Sequence, residues 1–269
     1  MDQKFKRVAV CISGHMRTFK QTAIPLQEKF LSNIAEEWDF FIYTTRRIDW
    51  SFTGVPRSER GTNLPPLMTD ADVDEIHRLY RPKSLVIDGK DFSSPQGAIE
   101  DNGFGRRSML QRVKMSNSLR HDYEAKATVK YDCVIKMRPD QVVIDEFKDL
   151  SVIDPDRLAV LPYGKVHDGL TDTFAMGPPH LMDTYFNLFD NVENYRHVTV
   201  RGSWAIELVI QQYLIDTGIN HYEIPLNLRI KRYGGNYYWF HDQPGSVEHF
   251  ASIGLVWNNE LKKLVEIRK

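Results

Sequence analysis

The sequence predicts an α/β fold built on a doubly wound, largely parallel sheet. Three observations carry that expectation. Val8-Ala9-Val10-Cys11-Ile12 and Tyr131-Asp132-Cys133-Val134-Ile135-Lys136-Met137 are mainly apolar runs, as expected of strands covered on both faces. Stretches with apolar residues at helical spacing separate the strand candidates, so strand and helix alternate through the first half. At 269 residues the chain can bury one large core of this kind.

The elements follow in order. The first strand closes at Ser13-Gly14. A helix is expected from about Ile24 to Glu36, with Leu26, Phe30, Leu31 and Ile34 on one face and Pro25 in its first turn. Trp38-Asp39-Phe40-Phe41-Ile42-Tyr43-Thr44 reads as the second strand. The polar stretch from about Thr45 to Met68 is too long for a simple connector and predicts a functional or mobile loop. Thr69-Asp70-Ala71-Asp72 opens a helix to about Tyr80, and Ser84-Leu85-Val86-Ile87-Asp88 is the third strand. A helix from about Arg107 to Lys126 precedes the strand Tyr131–Met137. Beyond it, short strands are expected near Gln141–Ile144, Arg157–Leu161 and Phe174–Met176. Helices are expected at Pro179–Phe189 and Ser203–Thr217, an extended section at Tyr222–Ile230, and an aromatic loop after that. No repeat or linker interrupts the pattern. The expectation is one domain over 1–269, with a nucleotide-binding half to about 140 and a more irregular acceptor-side half from about 141.

Composition narrows the function classes. A formal charge of −1 gives no global basic field, so nucleic acid is not an expected partner. Cys11 and Cys133 each lie in an apolar run and are expected as buried free thiols rather than a disulfide or zinc site. The apolar run after the basic start Lys4-Phe5-Lys6-Arg7 is too short for a signal peptide. No stretch reaches membrane length, so a cytoplasmic location is expected, host cytoplasm for a viral chain.

Ligands of open α/β sheets bind beyond the carboxyl ends of the strands. That rule selects three places. Ser13-Gly14-His15-Met16-Arg17-Thr18 follows the first strand; Gly14 permits a tight turn, and Arg17 offers a guanidinium to a phosphate. It lacks the glycine pattern of a P-loop or dinucleotide site. Tyr43-Thr44-Thr45-Arg46-Arg47 ends the second strand, with Tyr43 available to stack on a base. Lys136-Met137-Arg138-Pro139-Asp140 ends the fourth. There Cys133, Ile135 and Met137 share one face and Val134, Lys136 and Arg138 the other. Two cations ending a buried strand need anionic partners or a polar cleft. Asp140, after a φ-restricting proline, is a candidate ligand for a divalent ion or a sugar hydroxyl. The alternative is an internal Arg138–Asp140 or Lys136–Asp145 pair that closes the turn.

Together, Val8–Phe19, Trp38–Thr44 and Tyr131–Asp140 resemble GT-A-type glycosyltransferases. More narrowly they resemble a group found in large DNA viruses of algae and in bacteria making surface polysaccharides, such as the chlorovirus xylosyltransferase-like proteins. The resemblance implies a GT-A-like α/β/α sandwich with a central mixed, mostly parallel sheet. It also implies a UDP- or GDP-sugar donor, a saccharide or glycan acceptor, and a role in polysaccharide biosynthesis. Ser13, Gly14, His15, Arg17, Tyr43, Thr44, Arg138, Asp140 and Arg232 are the expected donor-binding residues. Such enzymes usually carry Asp-any-Asp where this chain has Arg138-Pro139-Asp140, so one carboxylate is replaced by a cation. Two expectations follow: Arg138 itself neutralises the phosphate, or Asp140 holds Mn2+ or Mg2+ with help from elsewhere in the chain.

Resemblance also places the stretch around His167-Asp168-Gly169-Leu170-Thr171-Asp172 on the acceptor side. An inverting transferase needs a carboxylate to take the acceptor's proton, and Asp172, Asp168 and Glu207 are the candidates. Arg229 to Trp239 joins cations, Gly234-Gly235 and aromatic faces suited to the departing diphosphate and to sugar packing. His241 and His249 are weaker metal-ligand candidates. Asp70-Ala71-Asp72-Val73-Asp74 is expected to be a helix start and Asp154-Pro155-Asp156 a turn, not metal motifs. The competing functions are a non-catalytic nucleotide- or saccharide-binding module and another nucleotide-dependent transferase such as a sulfotransferase.

Overall fold

The computed structural model describes residues 4–46, 48, 67–89, 104–161, 169–200, 203–231, 237–238, 255–258 and 263–266. Strand β1 (Phe5–Ser13) is the centre of the architecture. Val8, Val10 and Ile12 enter one hydrophobic core, while Ala9 and Cys11 enter another on the opposite face. This is the two-residue period of a strand covered on both sides.

The helical path after β1 starts earlier than the sequence predicts. Helix α1 (Phe19–Leu26) carries Pro25 in its interior, followed by a π-helical turn (Gln27–Leu31) and the short α2 (Ser32–Ile34). Pro25 has no N–H to give the helix, and the chain widens into the π turn directly after it. Strand β2 (Ala35–Thr45) then begins before the expected helix end at Glu36, because Ala35 is already in register with Phe5.

Helix α3 (Asp70–Tyr80) starts in a capping box. Thr69 accepts from the Asp72 amide at 3.2 Å, and the Asp72 carboxylate accepts from the Thr69 amide at 2.9 Å. Lys20 also pairs with Asp72 at 2.6 Å, so this acidic string is occupied in holding α3 to α1. Strand β3 (Ser84–Asp88), helix α4 (Phe104–Ala127) and strand β4 (Cys133–Met137) follow at or near their expected places. Asp154, in the other acidic string, accepts from the Asp156 amide at 3.1 Å, making the expected turn.

Strands β5 (Gln141–Val143), β6 (Leu158–Val160) and β7 (Phe174–Gly177) come next. The helix predicted to run to Phe189 breaks at Asn187 into α5 (Pro179–Phe186) and α6 (Leu188–Asn191). The helix predicted from Ser203 starts later. Strands β8 (Thr199–Val200) and β9 (Ser203–Trp204) pair as a hairpin, and α7 spans Ile206–Asp216. Strand β10 (His221–Glu223) is followed by β11 (Leu228–Lys231), β12 (Tyr237–Tyr238), and a β13 (Leu255–Asn258)–β14 (Lys263–Glu266) hairpin.

The main sheet runs β10-β6-β7-β4-β1-β2-β3. Strands β3, β2, β1 and β4 are mutually parallel, β7 is antiparallel to both its neighbours, and β10 is parallel to β6. Buried residues of α1, the π turn and α3 fill one core, and those of α4 to α7 fill the other. The result is a mixed, mostly parallel sheet between two helical layers. Cys133, Ile135 and Met137 fall in the first core and Val134 in the second, the alternation expected of β4. Both cysteines are buried free thiols, and burial pushes Cys11 up to about 12.

One buried charge secures the sheet. Asp39 of β2 accepts from Arg7 Nε and Nη2 at 2.8 and 2.7 Å and from the Tyr131 hydroxyl at 2.9 Å, with Lys83 at 3.5 Å. Arg7 also lies 5.7 Å from the Tyr131 ring centroid. Among the described residues no helix is long and apolar enough to cross a membrane.

Candidate functional site

The order of the strands creates the site. From β1 the chain steps to β2 and β3 on one side, then returns with β4 on the other side of β1. The strand order thus reverses between β1 and β4, and ligands of open α/β sheets bind beyond the strand ends at such a reversal. Ser13-Gly14-His15-Met16-Arg17 leaves β1 there, and Arg138-Pro139-Asp140 leaves β4.

Gly14 has φ +126°, a conformation that side chains with a β-carbon rarely adopt. Thr44 donates its hydroxyl to the Gly14 carbonyl at 2.8 Å, and the Arg17 amide donates to the His15 carbonyl at 2.8 Å. A β-carbon on Gly14 would sit 3.4 Å from Pro139 Cδ, so the two loops are in contact. Thr22 of α1 adds a 2.6 Å bond to the Pro139 carbonyl, and the Gln141 side chain accepts from the Arg138 amide at 2.8 Å. Gly14→Ala is expected to destabilise the protein by about 1–3 kcal/mol through backbone strain and to weaken any ligand held by Arg17. Thermal melts and a binding titration measure the two effects.

At the centre lies Asp140, 1% exposed, with both oxygens engaged by guanidinium groups. Arg138 Nε donates to Oδ1 at 3.1 Å and Nη2 to Oδ2 at 3.2 Å, while Arg17 Nη1 reaches Oδ2 at 3.2 Å. The two arginines are 15% and 22% exposed, more than the carboxylate they engage. Burial alone would lower the Arg138 pKa, but the charges of Asp140 and Asp172 outweigh it and hold the group above its ordinary value. The internal Arg138–Asp140 pair weighed from sequence therefore exists, with Arg17 as a further partner.

Lys136, within β4 two residues before Arg138, is also buried. Its Nζ donates to the main-chain carbonyl of Asp172, not to Asp145, whose carboxylate accepts from Asn227 instead. Burial lowers Lys136 to about 8, against the raising influence of Asp172 and Asp140.

Asp172 is 8% exposed and precedes β7, the antiparallel neighbour of β4. Its segment is fastened to the first turn of α7. The Leu170 amide donates to the Glu207 carbonyl at 3.1 Å, and a β-carbon on Gly169 would lie 2.7 Å from the Glu207 carbonyl carbon. Asp172 and Glu207 thus sit on two segments joined to each other, with Lys136 joining the first to β4.

The remaining sequence candidates divide. Tyr43 donates its hydroxyl to Asp88 Oδ2 at 3.0 Å, and burial followed by this bond raises its pKa. Ser13 and Thr44 are buried and shape the loop. His15 lies in the turn and is partly exposed. Arg46 is mostly exposed and pairs with Asp70 at 3.2 Å. Asp168, Arg232, Arg47, His241 and His249 lie outside the described residues. The extended section predicted across Tyr222–Ile230 is two separate strands. Strand β11 pairs antiparallel with β5, placing Ile230 opposite Gln141, immediately after Asp140.

Sequence reasoning did not find Thr22, Gln141 or the tie between Lys136 and Asp172. Lys136 did carry a signal, as a cation inside an apolar run; Thr22 and Gln141 carry none, since their partners are set by tertiary packing. Among the described residues no group of three or more His, Cys, Asp or Glu gathers where a metal ion could be held. No model of a known protein family matches the chain, and a search of curated proteins finds no significant match.

Proposed function

We propose that this protein is a glycosyltransferase that moves a sugar from a nucleotide diphosphate sugar to a saccharide acceptor. The observation that carries the proposal is the Arg17–Arg138–Asp140 cluster at the switch point of a mostly parallel sheet. Two guanidinium groups there suit a diphosphate, whose paired oxygens match their fork geometry. Helix α1 starts just beyond Arg17. Its amide end adds to the attraction for an anion. The mixed α/β sandwich is compatible with the GT-A resemblance.

The chemistry assigns roles as follows. The acceptor hydroxyl oxygen attacks the anomeric carbon of the donor sugar while the bond to the diphosphate oxygen breaks. The electron pair leaves with the nucleoside diphosphate, and Arg17 and Arg138 neutralise the charge that develops. Asp172 takes the acceptor's proton if the stereochemistry inverts, and Lys136 holds the Asp172 backbone in place. Glu207 is the alternative carboxylate on the adjoining segment. Tyr43, near the end of β2, is the surface proposed for the base.

The test is a thermal-shift screen of UDP- and GDP-sugars, followed by transfer assays with saccharide acceptors. Selective stabilisation by one donor class is the expected result, since a ligand of the native state raises apparent stability. Asp172→Asn is expected to keep donor binding but lower kcat by about 100-fold or more. Unchanged turnover would remove Asp172 from the chemistry. A second reading has one observation in its favour: the carboxylate at the expected acidic position is engaged by arginines. A nucleotide- or saccharide-binding module would show stabilisation by ligand with no turnover in any donor–acceptor combination.

A further inference from the structure

We infer that the strand-end site holds a diphosphate through guanidinium groups without a divalent cation, and that Asp140 is their internal counter-ion rather than a metal ligand. The inference rests on the nucleotide-sugar reading for the identity of the ligand, but the anion site itself can be tested apart from it.

The geometry argues against a metal at Asp140. A divalent ion needs carboxylate lone pairs directed at it from an accessible side. Both Asp140 oxygens already accept from guanidinium nitrogens, and the carboxylate is only 1% exposed. An ion bound to Asp140 would sit beside two fixed positive charges, a repulsion that the partly buried setting does little to screen. The residue two places before Asp140, where a second carboxylate would help hold an ion, is Arg138 itself.

The same geometry suits an anion. Arg138 grips Asp140 through Nε and Nη2 together, the two-pronged contact that a guanidinium also makes with two phosphate oxygens. Arg17 contributes a further donor to the same oxygen pair. Among the described residues, Arg138 and Lys136 lie within the electrostatic influence of Asp140 and Asp172, and Arg17 pairs with Asp140. Asp140 neutralises part of their charge and orients both arginines. An arriving diphosphate competes with it for their donors, and the departing nucleoside diphosphate is stabilised by arginine where a metal ion would otherwise act.

Binding of inorganic pyrophosphate, UDP and GDP by calorimetry, in EDTA and in Mn2+, tests this on the wild-type chain, Asp140→Asn and Arg138→Met. The expected result is pyrophosphate and nucleoside diphosphate affinities that agree within about twofold between EDTA and Mn2+. Asp140→Asn, though less stable unliganded, is expected to bind at least as tightly as wild type, and Arg138→Met at least tenfold more weakly. Wild-type binding that requires Mn2+ would overturn the inference while leaving the nucleotide-sugar reading intact. Pyrophosphate binding in EDTA without binding of either nucleotide would uphold the guanidinium site and remove that reading. No binding of any of the three would remove both. Because the EDTA–Mn2+ comparison uses the wild-type chain, it decides the matter even if a variant fails to fold.

Discussion

Arg138→Met is expected to lower kcat/KM for sugar transfer by about 100- to 1,000-fold, the loss typical of removing one preorganised donor from developing negative charge. Methionine keeps much of the side-chain volume but none of the five N–H donors. In the wild-type chain Arg138 contacts both oxygens of Asp140, and the variant removes both contacts from that buried carboxylate. A stability loss of roughly 3 kcal/mol should accompany the change, as for any buried pair that loses one partner. The kinetic effect must therefore be measured below the variant's melting temperature, with circular dichroism confirming the folded state. Arg138→Lys separates charge from geometry: it keeps the cation, loses the fork, and is expected to recover part of the lost rate. Full activity in Arg138→Met would show that the strand-end cluster is only a folding device.

The largest effect on stability is expected at Asp39, away from the candidate site. Asp39→Ala removes the common acceptor of Arg7 and Tyr131 and the nearby charge that faces Lys83. The half-buried Arg7 then loses its main counter-charge, and the Tyr131 hydroxyl loses its bond. Breaking such a pair from one side costs about 3–5 kcal/mol. For a chain of this size that corresponds to a fall in Tm on the order of 10 °C. Tyr131 is held well above the usual tyrosine pKa first by burial and then by its bond to Asp39, so the variant should also show Tyr131 ionising at lower pH. Ligand affinity of the folded protein is expected to stay near wild type, because Asp39 touches none of Arg17, Arg138 or Asp140. A Tm shift below about 2 °C would contradict the structural role given to this network.

These two residues differ in how visible they are in the sequence. Arg138 stands out because a cation at the end of an apolar strand demands an anion or a cleft, and the strand-end rule then locates the cleft. Asp39 lies in the run Trp38–Thr44 that was legible as a strand, yet its partners Arg7, Lys83 and Tyr131 come from three distant places and share it only through sheet register. The same distinction explains the fold. Strands β1 to β4 announce themselves through local apolar runs, and α3 through the acidic residues of its first turn. The β5–β11 pairing, which lays the Leu228–Lys231 strand beside the Asp140 turn, has no local signal because its two partners are far apart in the chain. Pro25 misled for a related reason: proline favours a first turn, but buried Phe19 and Ala23 carry the helix back to the strand end. Propensity is a local preference, and packing overrode it.

At the site, Gly14, Arg17 and Asp140 were legible as separate features of two loops. Their contact was not, because it depends on β1 and β4 being neighbours and on Pro139 packing against Gly14. The Asp172 segment is similar. Its carboxylate was visible as a candidate, whereas its attachment to Lys136 and to the Glu207 turn follows from the antiparallel placement of β7.

The central claim is that the crevice between β1 and β4 receives the diphosphate of a nucleotide sugar. A crystal structure grown with the nucleoside diphosphate that gives the strongest stabilisation tests it most directly. Phosphate oxygens within hydrogen-bond reach of the Arg17 and Arg138 guanidinium groups are the expected result. A nucleotide seated elsewhere on the protein, with the Arg17–Asp140–Arg138 contacts unchanged, would contradict it.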